Sequence, residues 1–307
     1  MAAEMTRQLH GYLYLSLAMV LVGSTVVASK VIASGLPPFT ATALRFAIAL
    51  PLFLLLMRAT GTRWPRPTRR DRLILLLQAG AGSVGYTTLL IAGLKLTSAA
   101  DAGVIIGTLP VVSAAIAVVV LNERPHLFVL LAIAFAATGV LAIVFRPHTG
   151  GAYSLAGSFL IFGAVVCEGL FILLNKRLEA AIPPLALSTL MAILGLAIAA
   201  PLALAELSVR ETVTASAFVA VAYYALVPTV GGFLLWYAGL AKVSGTEASV
   251  FTAVAPVSAV LLAAVILGEP LTSNQMLGIG FVLAAVAILA LPVPRKRSRL
   301  KRQSEAR

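Results

Sequence analysis

Nine stretches of this chain run for about twenty residues or more without Asp, Glu, Lys or Arg: 8 to 29, 73 to 94, 102 to 122, 125 to 145, 147 to 167, 180 to 205, 212 to 241, 248 to 268 and 270 to 294. A tenth apolar run, 39 to 57, is interrupted only by Arg45. About 20 apolar residues in a helix cross the roughly 30 Å of bilayer hydrocarbon, and in lipid a segment must satisfy its own backbone hydrogen bonds. The stretches therefore predict an all-α membrane protein with ten transmembrane helices. Gly-Leu-Pro-Pro at 35 to 38, Ile-Pro-Pro at 182 to 184 and Gly-Glu-Pro at 268 to 270 fall between them as turns.

Composition excludes the alternatives. Hydrophobic residues make up 60% and charged residues 11% of the 307, against about 45–50% and about 25% in soluble domains. The mean hydropathy is +1.02. A net charge of +12 would suit nucleic acid, but the basic residues gather in one loop and one tail without interleaved aromatics, so no nucleic-acid partner is expected. Cys167 is the one cysteine, which rules out an intramolecular disulfide, and three scattered histidines offer no metal cluster.

Those basic residues set the orientation. With the N-terminus in the cytoplasm, 18 lie inside, including six arginines from Arg58 to Arg72 and seven basic residues from Arg295 to Arg307. Only Lys30, Lys95, Arg146 and Arg210 lie outside. Both termini are expected in the cytoplasm, at the cell (inner) membrane. The first span could alternatively be a cleaved signal peptide, but it is long for one and Val-Val-Ala-Ser-Lys is a poor cleavage site.

The chain also repeats itself. At an offset of 146, Gly23 falls on Gly169, Lys30 on Lys176, Pro37 and Pro38 on Pro183 and Pro184, Asp101 on Glu247, Pro110 on Pro256 and Glu123 on Glu269. From Gly93 to Val140, 15 of 48 positions are identical, among them a proline and a glutamate, types that are rare in this composition. The predicted organisation is a five-helix repeat over 9–145, a second over 155–291, and a basic cytoplasmic tail over 292–307. Five is odd, so the second repeat enters the membrane from the opposite side and the repeats are inverted. That architecture belongs to many secondary transporters, whose substrate site lies near the midplane between the halves.

The segment from Thr97 through Asp101 to Pro110, ending in Asn122-Glu123-Arg124, and its copy from Thr246 to Pro256 ending in Gly268-Glu269-Pro270, resemble the EamA family of the drug/metabolite transporter superfamily. Gly23-Ser24-Thr25 followed by Lys30 resembles that family's first helix, with Val22 where Trp is frequent. The resemblance runs from about Leu13 to Leu291. It implies an exporter or importer of a small metabolite, with no cofactor, and leaves open amino-acid-like, nucleobase-like and drug-like substrates. A membrane scaffold or sensor is the alternative. Walker A and His-Glu-x-x-His patterns are both missing, so an enzyme is not expected.

Two charges lie deep in predicted spans, Arg45 and Glu168. At a helix centre each costs roughly 2.5–3.5 kcal/mol on insertion scales, so each should face protein or water. Glu168 is a candidate proton site or binder of a substrate amine; the alternative is a structural ion pair with Arg45. Met191 and Val22 stand at the repeat-related positions. Tyr86, too deep for an interfacial belt, and the polar Ser24, Thr25 and Asn175 join the candidate substrate or proton site, though the hydroxyls can equally bond their own helix. Pro110 and Pro256 are candidate mid-span kinks. Asp101 and Glu247, at helix starts, are candidates for gating or for capping. Gly80-x-Gly82-x-x-Gly85 and Gly103-x-x-x-Gly107 are read as close helix contacts, and Trp236 and Tyr237 as interfacial anchors. Expected partners are a small-molecule substrate, the bilayer, protons as a coupling ion, and a second copy in a homodimer.

Overall fold

A computed structural model of the chain describes residues 2–121, 127–144, 154–175, 177–206, 213–242, 251 and 254–290. Among them there is no strand. The helices are α1 (Ala2–Ala33), α2 (Pro38–Ala59), α3 (Arg69–Leu94), α4 (Ala99–Ile106), α5 (Leu109–Leu121), α6 (Leu127–Val144), α7 (Leu155–Asn175), α8 (Pro184–Glu206), α9 (Ala215–Leu240), α10 (Val254–Leu267) and α11 (Ser273–Ala290).

Helix starts follow local chemistry. Thr68 accepts from Asp71 N to open α3, Ser98 from Asp101 N to open α4, and Thr214 from Ala217 N to open α9. Pro37 and Pro38 set the entry to α2, where a missing N–H costs nothing. Its next free N–H groups, on Phe39 and Thr40, are taken by the Glu206 carboxylate from the end of α8 at 3.1 and 2.7 Å. Glu269, beyond α10, does the same for Ala99 and Ala100 of α4 at 2.9 and 2.8 Å. Gly268, at φ +66, takes a left-handed conformation that glycine adopts without a Cβ penalty, just past the end of α10.

The ten expected spans are met in part. Among the described residues six helices are long and apolar enough to cross a membrane: Gln8–Ala33 within α1, and α2, α3, α7, α8 and α9. The α4–α5 pair would make a seventh, bent by 42°. Three apolar helices are shorter, Leu130–Ala142 within α6, α10, and Ser273–Ile288 within α11.

The helix is bent close to Pro110, one of the candidate helix breaks. The helix breaks ahead of it at Gly107–Thr108, and Pro110 occupies the first turn of α5, where its absent N–H is no loss. Pro256 lies in the first turn described for α10 and packs against Gly107, where an added Cβ would come within 2.8 Å of the proline ring.

Helices of the first half pack on helices of the second. α2 lies on α8, α6 on α11, α1 on α9 and α10, α3 on α7, α4 on α10 and α5 on α7. Glycines make these approaches close: a Cβ on Gly23 would meet Ser258 Oγ at 2.1 Å and Ala255 O at 2.6 Å, and one on Gly82 would meet Phe171 at 2.3 Å. Without hydrophobic drive between helices in lipid, such close van der Waals contact carries the association.

Candidate functional site

Two wide, π-type turns interrupt long helices, Ala79–Gly85 in α3 and Ala225–Gly231 in α9. Such turns leave carbonyls out of the regular ladder and occur often at functional sites. Here Thr229 Oγ1 donates to Tyr224 O at 2.8 Å, and Thr87 Oγ1 donates to Ser83 O at 2.9 Å. With their protons committed to backbone, both threonines present lone pairs. Arg45 of α2 uses them, its Nε donating to Thr229 at 3.1 Å and its Nη1 to Thr87 at 2.6 Å. The guanidinium carbon also stands 4.3 Å from the ring centroid of Tyr224 and 5.0 Å from that of Phe46. Aromatic faces and two charge-assisted hydrogen bonds thus hold a cation inside an apolar helix.

Tyr86 follows the first wide turn and lies within electrostatic reach of Arg45, Tyr224, Glu168 and Thr25. Glu168 reaches this space from α7 and interacts electrostatically with Arg45. The two do not come within salt-bridge distance of each other. Among the described residues the salt bridge is instead Arg70 with Glu179, and Glu168 makes no side-chain hydrogen bond. Ser24 adds a link from α1: its hydroxyl donates to Leu21 O at 2.6 Å, so the Tyr223 phenol 2.8 Å away donates to Ser24. Thr25 spends its proton on Val22 O at 2.6 Å.

Five of the expected residues thus share one region, Arg45, Glu168, Tyr86, Ser24 and Thr25, and the others do not. Asn175 is two turns along α7 from Glu168, where its Oδ1 accepts from Gln78 Nε2 at 3.3 Å. Asp101 is fully buried and accepts from Gln275 Nε2 at 2.9 Å, which ties α4 to α11. Glu247 lies outside the described residues. Sequence reading missed Thr87, Thr229, Tyr223 and Tyr224. All are polar groups inside apolar spans, and Pro228-Thr229 in particular was visible as a proline followed by a hydroxyl at mid-span.

A cleft of about 730 Å³ lies away from this cluster, between α5, α6 and α7, with Val112, Ile116, Ala137 and Phe159 in its walls. Its apolar lining offers little with which to recognise a polar solute.

Half-buried opposite charges inside membrane-length helices define a multi-pass membrane protein. The model of the EamA-like transporter family matches the chain twice, over residues 9–145 and 155–291, and the chain belongs to that family. It is a transporter and not an enzyme. It is 34% identical to the uncharacterized transporter YetK of Bacillus subtilis (strain 168), over 93% of this chain and 88% of that protein. It is 26% identical to a probable amino-acid metabolite efflux pump of Salmonella typhimurium, over 90% and 93% of the two chains. One solved crystal structure shares the fold with a TM-score of 0.60 and 19% identity, over 98% of this chain and 99% of the other.

Proposed function

We propose that the chain is a secondary active exporter of a small organic metabolite, working by alternating access between two inverted five-helix repeats in the cell (inner) membrane. The observation that carries this reading is the placement of Arg45 and Glu168 in one polar region between the two halves without pairing. Intramembrane charges that are not spent on each other are disposed to meet a solute or a proton.

Several features support the inverted arrangement. The wide turns at 79–85 and 225–231 are themselves 146 residues apart, the offset of the sequence repeat. The helix pairings also exchange: α1 packs on α9 and α10, as α7 packs on α3 and on α4 and α5. In this reading the bent α4–α5 pair and the three shorter helices also cross, giving ten spans with both termini in the cytoplasm. Two nearly equivalent packings of the halves then open the central region to one side or the other. Proton coupling would run through Glu168, which makes no side-chain hydrogen bond among the described residues.

The test is reconstitution into proteoliposomes under imposed proton gradients, guided by a metabolite-resistance screen of overproducing cells. Gradient-driven movement of a solute, lost in Glu168→Gln, is the expected result. A scaffold or sensor would move none of a broad panel of amino acids, nucleosides and cationic drugs.

A further inference from the structure

We infer that the cleft between α5, α6 and α7 seats one acyl chain of a bilayer phospholipid, lying along the helices behind the protein's outermost side chains. This needs the membrane setting and not the polar region around Arg45 and Glu168, so it goes beyond the proposed function.

The cleft follows from where its walls are tied. α5 and α7 meet at Gly169, where an added Cβ would lie 2.8 Å from Ile116 Cδ1. α6 packs on α11 through Gly139, where an added Cβ would lie 2.8 Å from Gly278 O. Contacts between small residues fix each pair closely, and a space of about 730 Å³ is left between the two pairs. At the repeat-related place in the first half, Tyr12 stands for Ser158 and its ring stacks on Phe251 at 5.4 Å. Ser158 brings no such bulk to the cleft wall.

The walls select the occupant. Apart from Thr108 and Ser158 they are hydrocarbon side chains. Thr108 spends its hydroxyl proton on Ile105 O at 2.6 Å, and the Ser158 oxygen is buried. Water needs two or more polar partners to stay in such a space, and a polar solute would lose its hydration without return. The mouth opens on the surface that meets lipid: Phe159 of the membrane-length α7 is 70% exposed and Val119 of α5 is 78% exposed. The cleft is therefore continuous with the bilayer interface, and hydrocarbon is the material at its mouth. Its length fits a chain of one leaflet. The α7 wall from Leu155 to Val166 rises about 16.5 Å, against about 15 Å for half of the hydrocarbon core. A chain lying there supplies the dispersion contacts that bare walls forfeit.

The test uses the purified full chain in phosphatidylethanolamine–phosphatidylglycerol nanodiscs, one chain per disc, with a trace of phosphatidylethanolamine carrying a photoactivatable diazirine at mid-chain. Crosslinked residues are mapped by mass spectrometry. Val265 of α10, 82% exposed, reports ordinary lipid contact. Crosslinking at the half-buried wall residues Val112 and Ile116, as strong as at Val265, is the expected result. Ala115→Phe and Ala137→Phe each put a ring into the cleft and should lose the crosslinks at Val112 and Ile116 while keeping that at Val265. Wild-type protein decides the matter if a variant misfolds: labelling of Val265 without labelling of the walls overturns the inference. A wall signal undiminished in both folded variants overturns it too. So does a wall that lipid leaves unlabelled in one-chain discs but that crosslinks to a second copy in two-chain discs, which would make the cleft a protein interface.

Discussion

Arg45 Nη1 donates to the Thr87 hydroxyl at 2.6 Å, so the intramembrane arginine is anchored to α3 by a neutral group rather than to α7 by a carboxylate. Sequence separation hides this contact, because the two residues are 42 positions apart on different helices. Its consequence is that Arg45 and Glu168 are both held near the same space while each keeps hydrogen-bonding capacity.

A double-mutant cycle checks the missing ion pair. Breaking a buried pair costs about 3–5 kcal/mol, and removing both partners recovers much of it. Here Glu168→Gln should leave thermal stability nearly unchanged, and Glu168→Gln combined with Arg45→Met should be no more stable than Arg45→Met alone. A double variant that regains wild-type stability would place the two charges in a structural pair.

Thr87→Val and Thr229→Val remove the acceptors of Arg45 at nearly constant volume. Side-chain hydrogen bonds inside membrane proteins average about 0.6 kcal/mol and reach about 1.7 at most, so each variant should lose on the order of 1 kcal/mol and still fold. Transport should fall much further than stability, because the guanidinium loses its fixed orientation. Unchanged transport with lowered stability would reduce the threonines to packing.

The glycines of the first wide turn separate helix packing from any role as a nucleotide loop. A Cβ on Gly80 would meet nothing within 4 Å, whereas one on Gly82 would lie 2.3 Å from Phe171. Gly80→Ala should leave the melting temperature unchanged, and Gly82→Ala should cost roughly 1–3 kcal/mol as an overpacked contact. Equal effects at the two positions would contradict the α3–α7 contact.

Glu206 and Glu269 each cap a helix that belongs to the other half of the chain. Replacing a cap by Ala costs about 0.5–2 kcal/mol, so Glu206→Ala and Glu269→Ala should each lower thermal stability by that order. Gln retains one acceptor oxygen and should recover part of the loss. Cysteines placed singly at Ser34 and Thr62 in a Cys167→Ala background check the sidedness of the Glu206 cap: Ser34 should label from outside intact cells and Thr62 should not. Outside labelling at Thr62 would reverse the orientation.

The sequence by itself determined the class of this protein. Charge-free runs of membrane length and the rarity of polar residues leave helices in lipid as the available outcome, since each such segment satisfies its backbone alone. The same local logic made Arg45 and Glu168 conspicuous, because a charge in such a run is costly wherever its partner lies. Glycines at 82 and 103 could be read as contacts because smallness has one main use between apolar helices. What the sequence left undecided was every choice of partner across helices. Hydrophobic runs specify that a segment is buried but not which face meets which neighbour. The alternatives for Arg45 differed by hydrogen bonds of similar strength to Glu168, Thr87 or Thr229. Tertiary packing decided between them, by bringing Thr87 of α3 and Thr229 of α9 alongside α2.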